Sequence, residues 1–289
     1  MKIQTNLTIP LSWKERLDEM AQAEPKPCTH ADLIRRAIRN YYQFDMLSES
    51  VEEQCTASFE YFANNFLKIL SPTEGLLPLK LYDFQIRWTD FIEENRYTIA
   101  TKFRQGGFST VTTLWLFWKA LFTENIKIGI ISKSDRESTT LINLIKQALD
   151  WMPDYFRHKV EKINSHRIAF DNGSSIFSTT YQATCGTILD YIFVDESAFI
   201  PHMTNAWRAM FPCIASNDGK CITISTPNGV GNWFEETYHK AQKGENYFQI
   251  FKADYTEHPD FANEEWANNM RKALGEKGWQ QEVLQQFVP

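Results

Sequence analysis

The sequence predicts an α/β fold with a mostly parallel sheet, preceded by a small β-α-α module. Three observations carry this reading. From Leu79 onward, short apolar runs rich in β-formers alternate with helical stretches, the pattern of a parallel sheet covered on both faces. Two of those runs are joined by Asp171-Asn172-Gly173, a hairpin turn, so one pairing is antiparallel. Residues 1–45 read strand, helix, break, helix, which is too little chain to bury a core by itself.

In order, KIQTNLTIP alternates Ile3, Leu7 and Ile9 with Lys2, Gln4, Asn6 and Thr8, the period of a half-exposed strand. LSWKERLDEMAQ places Leu11, Trp13, Leu17 and Met20 at helical spacing, and the prolines of AEPKP interrupt it. Thr29 to Asp32 opens a second helix in the manner of a capping box, with Leu33, Ile34, Ala37, Ile38 and Tyr41 on one face. Residues 46–70 read as a helical connector with Phe59, Phe62, Phe66 and Leu67 on one side, and SPTEGLLP reads as a loop. The expected divisions are therefore a module at 1–45, a connector at 46–78 and the main domain at 79–289. In the main domain strands are expected over residues 97–100, 127–132, 167–170, 175–178, 191–194, 220–225 and 247–251. Helices are expected over 109–122, 135–151 and 232–242.

Composition narrows the function. A net charge of −6 over 289 residues argues against a surface that coats nucleic acid indiscriminately, so any such contact must be local. Residues 1–45 hold seven basic and six acidic side chains, which does not settle whether they meet DNA. The cysteines (Cys28, Cys55, Cys185, Cys213, Cys221) are odd in number without CxxC spacing, and no His/Cys cluster suggests a structural zinc. They read as reduced thiols of a cytoplasmic protein. No run approaches the length of a membrane span, and the opening residues lack the apolar stretch of a signal peptide.

The chemistry is carried by four segments. KFRQGGFST follows the strand YTIAT and opens a helix, the context of a phosphate-binding loop. Gly106 and Gly107 let the backbone curl so that its N–H groups face phosphate oxygens, with the helix N-terminus behind them. The lysine expected after the last glycine is replaced by Phe108. Lys102, at the start of the loop, can supply that cation from the other side, and Arg104 offers a second. Ser109 stands where a hydroxyl would ligate magnesium. Lys102, Arg104, Gln105, Gly106, Gly107, Ser109 and Thr110 are thus the candidate nucleotide contacts, although a glycine pair before a helix also suits a plain turn.

The strand YIFVDESAF ends in Asp195 and Glu196. Paired carboxylates make little sense in a core, where an unpaired charge costs several kcal/mol. They make sense at the mouth of a parallel sheet, the first holding a magnesium shell and the second deprotonating a water. After the next strand, Ser225 and Thr226 open the polar turn STPNG. In P-loop ATPases with an extra catalytic glutamate, the corresponding strand inserts between the loop strand and the acidic strand, and its end can sense the γ-phosphate. Upstream, Phe84-Gln85 offers an aromatic face and an amide able to both donate to and accept from an adenine edge.

Together, over residues 65–289, these segments resemble the ATPase domain of the large terminase subunit, the DNA-packaging motor of tailed phages. KFRQGGFS, VDESAFIP, STPNG, DNGSSI and the Gln85 segment match its motifs in order. Members with an aromatic at the lysine position carry the lysine at the start of the loop, here Lys102. The resemblance implies a P-loop NTPase fold of the extra-glutamate type that hydrolyses ATP with magnesium and drives double-stranded viral DNA into a procapsid. It assigns Lys102 to the β/γ-phosphates, Ser109 and Asp195 to the magnesium, and Glu196 to the attacking water. Arg104 becomes the charge-stabilising arginine, Ser225 and Thr226 the coupling residues, and Gln85 the adenine contact. It implies a portal protein, a small terminase subunit and a homo-oligomeric ring as partners, with work done in the host cytoplasm and at the portal vertex. Two departures stand out. Cys185-Gly186 replaces an Arg-Gly pair, and the ribonuclease-H-like nuclease domain that usually follows is absent from this sequence.

Residues 1–45 separately resemble a ribbon-helix-helix module. That likeness would point Lys2, Gln4 and Asn6 at base edges of duplex DNA. A packing cap or protein-docking arm would use the same pattern. Two further classes fit parts of the sequence: a helicase-like DNA-remodelling ATPase, and a DNA-binding regulator with an inactive ATPase core.

Overall fold

The computed structural model describes residues 14, 17–19, 29, 51–71, 74–157, 159–179 and 187–289. Of the ribbon-helix-helix reading only residues 14, 17–19 and 29 are described, the first four of them helical, and Lys2, Gln4 and Asn6 lie outside the described residues, as does Cys185-Gly186. The chain divides into two compact units, residues 1–57 and 58–289. In the first, residues 51–57 are helical.

The second unit opens with helix α1 (Phe59–Phe66), capped by Ser58, whose hydroxyl accepts from the Tyr61 N–H at 3.1 Å. The expected helical connector ends here. Leu67 turns extended, and the chain forms an antiparallel hairpin of β1 (Lys68–Ser71) and β2 (Gly75–Pro78). The helical apolar period stops at Leu67, and the short run KIL has no period to separate helix from strand. The segment 71–78, expected as loop, thus supplies the second strand.

The main sheet has eight strands: β3 (Tyr97–Thr101), β4 (Lys127–Ile131), β5 (Val160–Ile163), β6 (Arg167–Phe170), β7 (Ser175–Ser178), β8 (Tyr191–Asp195), β9 (Lys220–Ser225) and β10 (Gln249–Phe251). Their spatial order is β10-β3-β9-β8-β4-β7-β6-β5. The first six run parallel and the last two pairings are antiparallel. β9 lies between the loop strand β3 and the acidic strand β8, as the likeness to P-loop ATPases with an extra catalytic glutamate implied. β5 was not foreseen, since VEKI has one half-buried and three exposed residues and pairs at the sheet's rim. Tyr247 is 81% exposed and precedes β10 instead of joining it.

Helices α2 (Asp83–Glu94), α3 (Phe108–Phe122), α4 (Asp135–Trp151), the short α5 (Asp154–Arg157), α6 (Met203–Ala215), α7 (Trp233–Gln242) and α8 (Glu264–Glu282) surround the sheet. α3 buries nearly its whole circumference, as a helix apolar on all sides must. Trp88 on α2 donates its indole N–H to Thr112 of α3 at 2.8 Å. The hairpin Asn172 sends its amide N–H to the carbonyls of Ala120 and Thr123 at 3.0 and 3.1 Å, closing the C-terminal end of α3. The helix that carries the loop is therefore fixed along its side and at its far end.

Candidate active site

Parallel strands deliver their C-terminal ends to one edge, and ligands of open α/β sheets bind there. β3, β8 and β9 end at Thr101, Asp195 and Ser225, and Ser225 pairs with Thr101 while Ile224 pairs with Asp195. Three segments far apart in sequence meet at that edge.

The loop 102–107 turns tightly before α3. Gln105 and Gly107 adopt left-handed backbone, at φ 64° and 76°. A Cβ on Gly107 would lie 2.7 Å from Gln85 Nε2, and one on Gly106 would lie 2.7 Å from the Phe103 ring. Both glycines are demanded by close approach, and Gly107 also by its φ. Phe108 is 1% exposed and packs against Phe84, Trp88 and Phe103 at ring separations of 5.7, 5.9 and 5.9 Å. The residue at the usual lysine position thus belongs to the core.

Lys102 places a buried ammonium at this edge. Its Nζ donates to Ser109 Oγ at 2.8 Å and Asp195 Oδ1 at 3.0 Å, and pairs with Glu196 Oε1 at 3.0 Å. Ser109 Oγ donates to the same Asp195 oxygen at 2.9 Å. Burial pulls the Lys102 ammonium toward neutrality, and Asp195 and Glu196 more than reverse that, holding its pKa above the ordinary value. Burial and the neighbouring Glu196 push the Asp195 carboxyl up, against the pull of Lys102. One cation faces two carboxylates beside the glycine-turned loop.

Glu196 sits in left-handed backbone, φ 54° and ψ 40°, which costs a non-glycine residue about 1–3 kcal/mol where it is held. The Ser225 hydroxyl accepts from the Ala198 N–H at 3.2 Å and donates to Glu196 Oε2 at 3.4 Å. Thr223 donates to Ser197 at 2.8 Å, which adds a second tie between β9 and this turn. The Thr226 hydroxyl is buried with no hydrogen-bond partner among the described residues. It lines the same cavity as Lys102, Glu196 and the loop, a space of about 360 Å³.

Gln85 and Arg104 are also held by protein partners. Gln85 Oε1 accepts the Tyr82 N–H at 3.1 Å and Nε2 donates to the Gly106 carbonyl at 3.1 Å, leaving one amide N–H for another group. Arg104 is half-exposed, and its Nε lies 2.9 Å from Glu282 Oε2. Its backbone N–H donates to the Glu282 carbonyl at 2.9 Å. Gln105 and Thr110 line the cavity. Sequence reasoning missed Glu282 and its neighbour Gln285, whose Oε1 accepts from Thr101 at 2.9 Å. No local signal could reveal them, because these contacts span more than 170 residues.

A serine hydroxyl beside a carboxylate is a pair of hard oxygen donors, which suits Mg²⁺. No cluster of three or more His, Cys, Asp or Glu side chains able to cage a metal occurs among the described residues. No helix among the described residues is long and apolar enough to cross a membrane.

A parallel sheet with a glycine-turned loop entering a helix and an acidic strand two places away defines a P-loop NTPase fold. Residues 100–286 match the family model "Terminase large subunit, T4likevirus-type, N-terminal", and the chain belongs to that family. It is 25% identical over 177 residues to the terminase large subunit of Thermus phage G20c, covering 55% of this chain and 36% of that protein. It is 30% identical over 117 residues to that of Thermus virus P23-45, covering 36% and 24%. The matches thus span about a third or less of those relatives' lengths. Among solved structures, a point mutant of the large terminase ATPase domain of Thermus phage P74-26 superposes with a TM-score of 0.61 at 20% identity, over 72% of this chain and 95% of that one. The large terminase of a thermophilic bacteriophage in complex with ADP gives 0.58 at 12% identity, over 72% and 53%.

Proposed function

We propose that this domain is the ATP hydrolase of a viral DNA-packaging motor, working as part of a large terminase subunit. One observation carries the reading: Lys102, Ser109, Asp195 and Glu196 converge at one sheet edge, each within 3.0 Å of a neighbour, below a loop that leads into a helix N-terminus. ATP as the nucleotide is supported by relatives of the same fold solved with ADP and with ATP-γ-S.

The roles follow from the chemistry. The loop N–H groups and the Lys102 ammonium hold the β- and γ-phosphates. Ser109 and Asp195 would hold Mg²⁺, which when bound neutralises charge on the phosphates. Glu196 takes the proton of the attacking water, with Ser225 fixing its carboxylate. Thr226 presents its unpartnered hydroxyl to the γ-phosphate end of the cavity, so β9 registers hydrolysis. The remaining N–H of Gln85 is available to the adenine edge. Arg104 stabilises developing charge once released from Glu282, in its own site or a neighbouring subunit's. The partners of this reading are double-stranded viral DNA, a portal protein, a small terminase subunit and further copies in a ring. They meet in the host cytoplasm and at the portal vertex.

Glu196→Gln tests the reading. Binding of a fluorescent ATP analogue should persist while hydrolysis is lost, whereas Asp195→Asn should weaken binding of the metal–nucleotide pair. Turnover near the parent rate in Glu196→Gln would overturn it.

A further inference from the structure

We infer that Lys102 and the divalent metal compete for one seat, so that the metal enters this site only together with a polyphosphate. The inference rests on the ATPase reading above and concerns the order in which that site fills.

An ammonium has three N–H donors, and Lys102 has three acceptors: Ser109 Oγ, Asp195 Oδ1 and Glu196 Oε1, at 2.8, 3.0 and 3.0 Å. The first two are the same oxygens that would ligate the metal. A cation bound to both would meet Nζ at contact distance in surroundings where Lys102 and Asp195 are 8% and 7% exposed. Like charges that close, with little water between them, exclude one another. The backbone does not relieve the conflict, because the Lys102 N–H is bonded to the Ser225 carbonyl at 3.0 Å. Only the side chain can leave, and the open space next to it is the cavity under the loop. Phosphate oxygens in that cavity would give Nζ replacement acceptors, and its departure would free Ser109 and Asp195.

The test uses Mn²⁺ titrated against the full chain, with free Mn²⁺ read by electron paramagnetic resonance. Wild type with Mn²⁺ alone should show no saturable Asp195-dependent site, and added tripolyphosphate or ATP-γ-S should create one. Lys102→Met should bind Mn²⁺ alone at least about tenfold more tightly than wild type, and Asp195→Asn in that background should remove the gain. Equal affinity of wild type and Lys102→Met for Mn²⁺ alone, lost in Asp195→Asn, overturns the inference. Should Lys102→Met fail to fold by circular dichroism, the wild-type titrations decide. A saturable Asp195-dependent site with Mn²⁺ alone refutes competition, and one that requires the polyphosphate supports it. Wild type that binds neither Mn²⁺ nor ATP-γ-S when both are present sinks the ATPase reading, and the inference with it.

Discussion

The Gln85 side-chain amide donates to the Gly106 carbonyl at 3.1 Å while its oxygen accepts the Tyr82 N–H, so one buried group staples the start of α2 to the turn of the loop. Gln85→Ala should then weaken nucleotide binding by about three- to tenfold, the worth of one or two hydrogen bonds. Competition binding with ATP and GTP separates the two uses of this residue. A loop staple predicts the same loss for both, and a loss confined to ATP would assign Gln85 to the base. Gln85→Glu should be worse than alanine, since a carboxylate would face a carbonyl oxygen.

Phe108 occupies the position where a phosphate loop usually has lysine, and its ring lies among Phe84, Trp88 and Phe103. Phe108→Ala should cost about 3–5 kcal/mol of stability, as large-to-small changes of buried aromatics do. Phe108→Lys should not rescue Lys102→Ala, because it would bury an ammonium in an aromatic cluster. Urea unfolding reads the first effect and single-turnover hydrolysis the second. Recovery of hydrolysis in the double variant would show that Phe108 can face the phosphates.

The unpartnered Thr226 hydroxyl gives stability and activity opposite signs. Thr226→Val keeps the shape and removes a buried polar group without a partner, so the nucleotide-free chain should gain about 1 kcal/mol. Hydrolysis should fall at the same time, with ATP affinity little changed. Loss of stability on this substitution would mean that the hydroxyl has a partner in the resting protein.

His258 predicts a pH effect on stability. Its Nδ1 accepts the Asp260 N–H at 3.2 Å and its ring stacks on Phe261 at 3.9 Å, an arrangement that needs Nδ1 unprotonated. Burial holds its pKa below the ordinary histidine value, against the pull of Asp260. The unfolded chain therefore takes up the proton at higher pH than the folded one. Stability is full above the ordinary value and falls as pH drops toward the folded one. In His258→Phe the difference in urea midpoint between about pH 7.5 and about pH 5.5 should shrink. An unchanged difference would place the acid sensitivity elsewhere.

The edge where Lys102, Ser109, Asp195 and Glu196 meet was readable because each of its parts is local. A strand followed by KFRQGGFS, a strand ending in Asp195-Glu196 and one ending in Ser225-Thr226 each announce an edge position in a few residues. The insertion of β9 between β3 and β8 was implied by the resemblance to P-loop ATPases with an extra catalytic glutamate. What stayed hidden has no local expression. β5 is a mostly exposed rim strand without a buried face, and β1 begins where a helical period simply stops. The pairings of Arg104 with Glu282 and of Thr101 with Gln285 join residues whose types suit any surface. Packing selects those partners, and packing is not written in a short window of sequence.

The contact of Lys102 with Asp195 spans 93 residues, and that of Arg104 with Glu282 spans 178. Such separations are entropically slow to close and leave early contacts unrewarded. On the ribosome, β3 and α3 emerge well before the strand that answers them, so the Lys102 ammonium waits for Asp195 while 93 further residues are made, although the aromatic partners of Phe108 are already out. Chaperone residence on this chain should extend at least until residue 195 clears the exit tunnel, and nucleotide competence should arise as a late, nearly all-or-none event in its biogenesis.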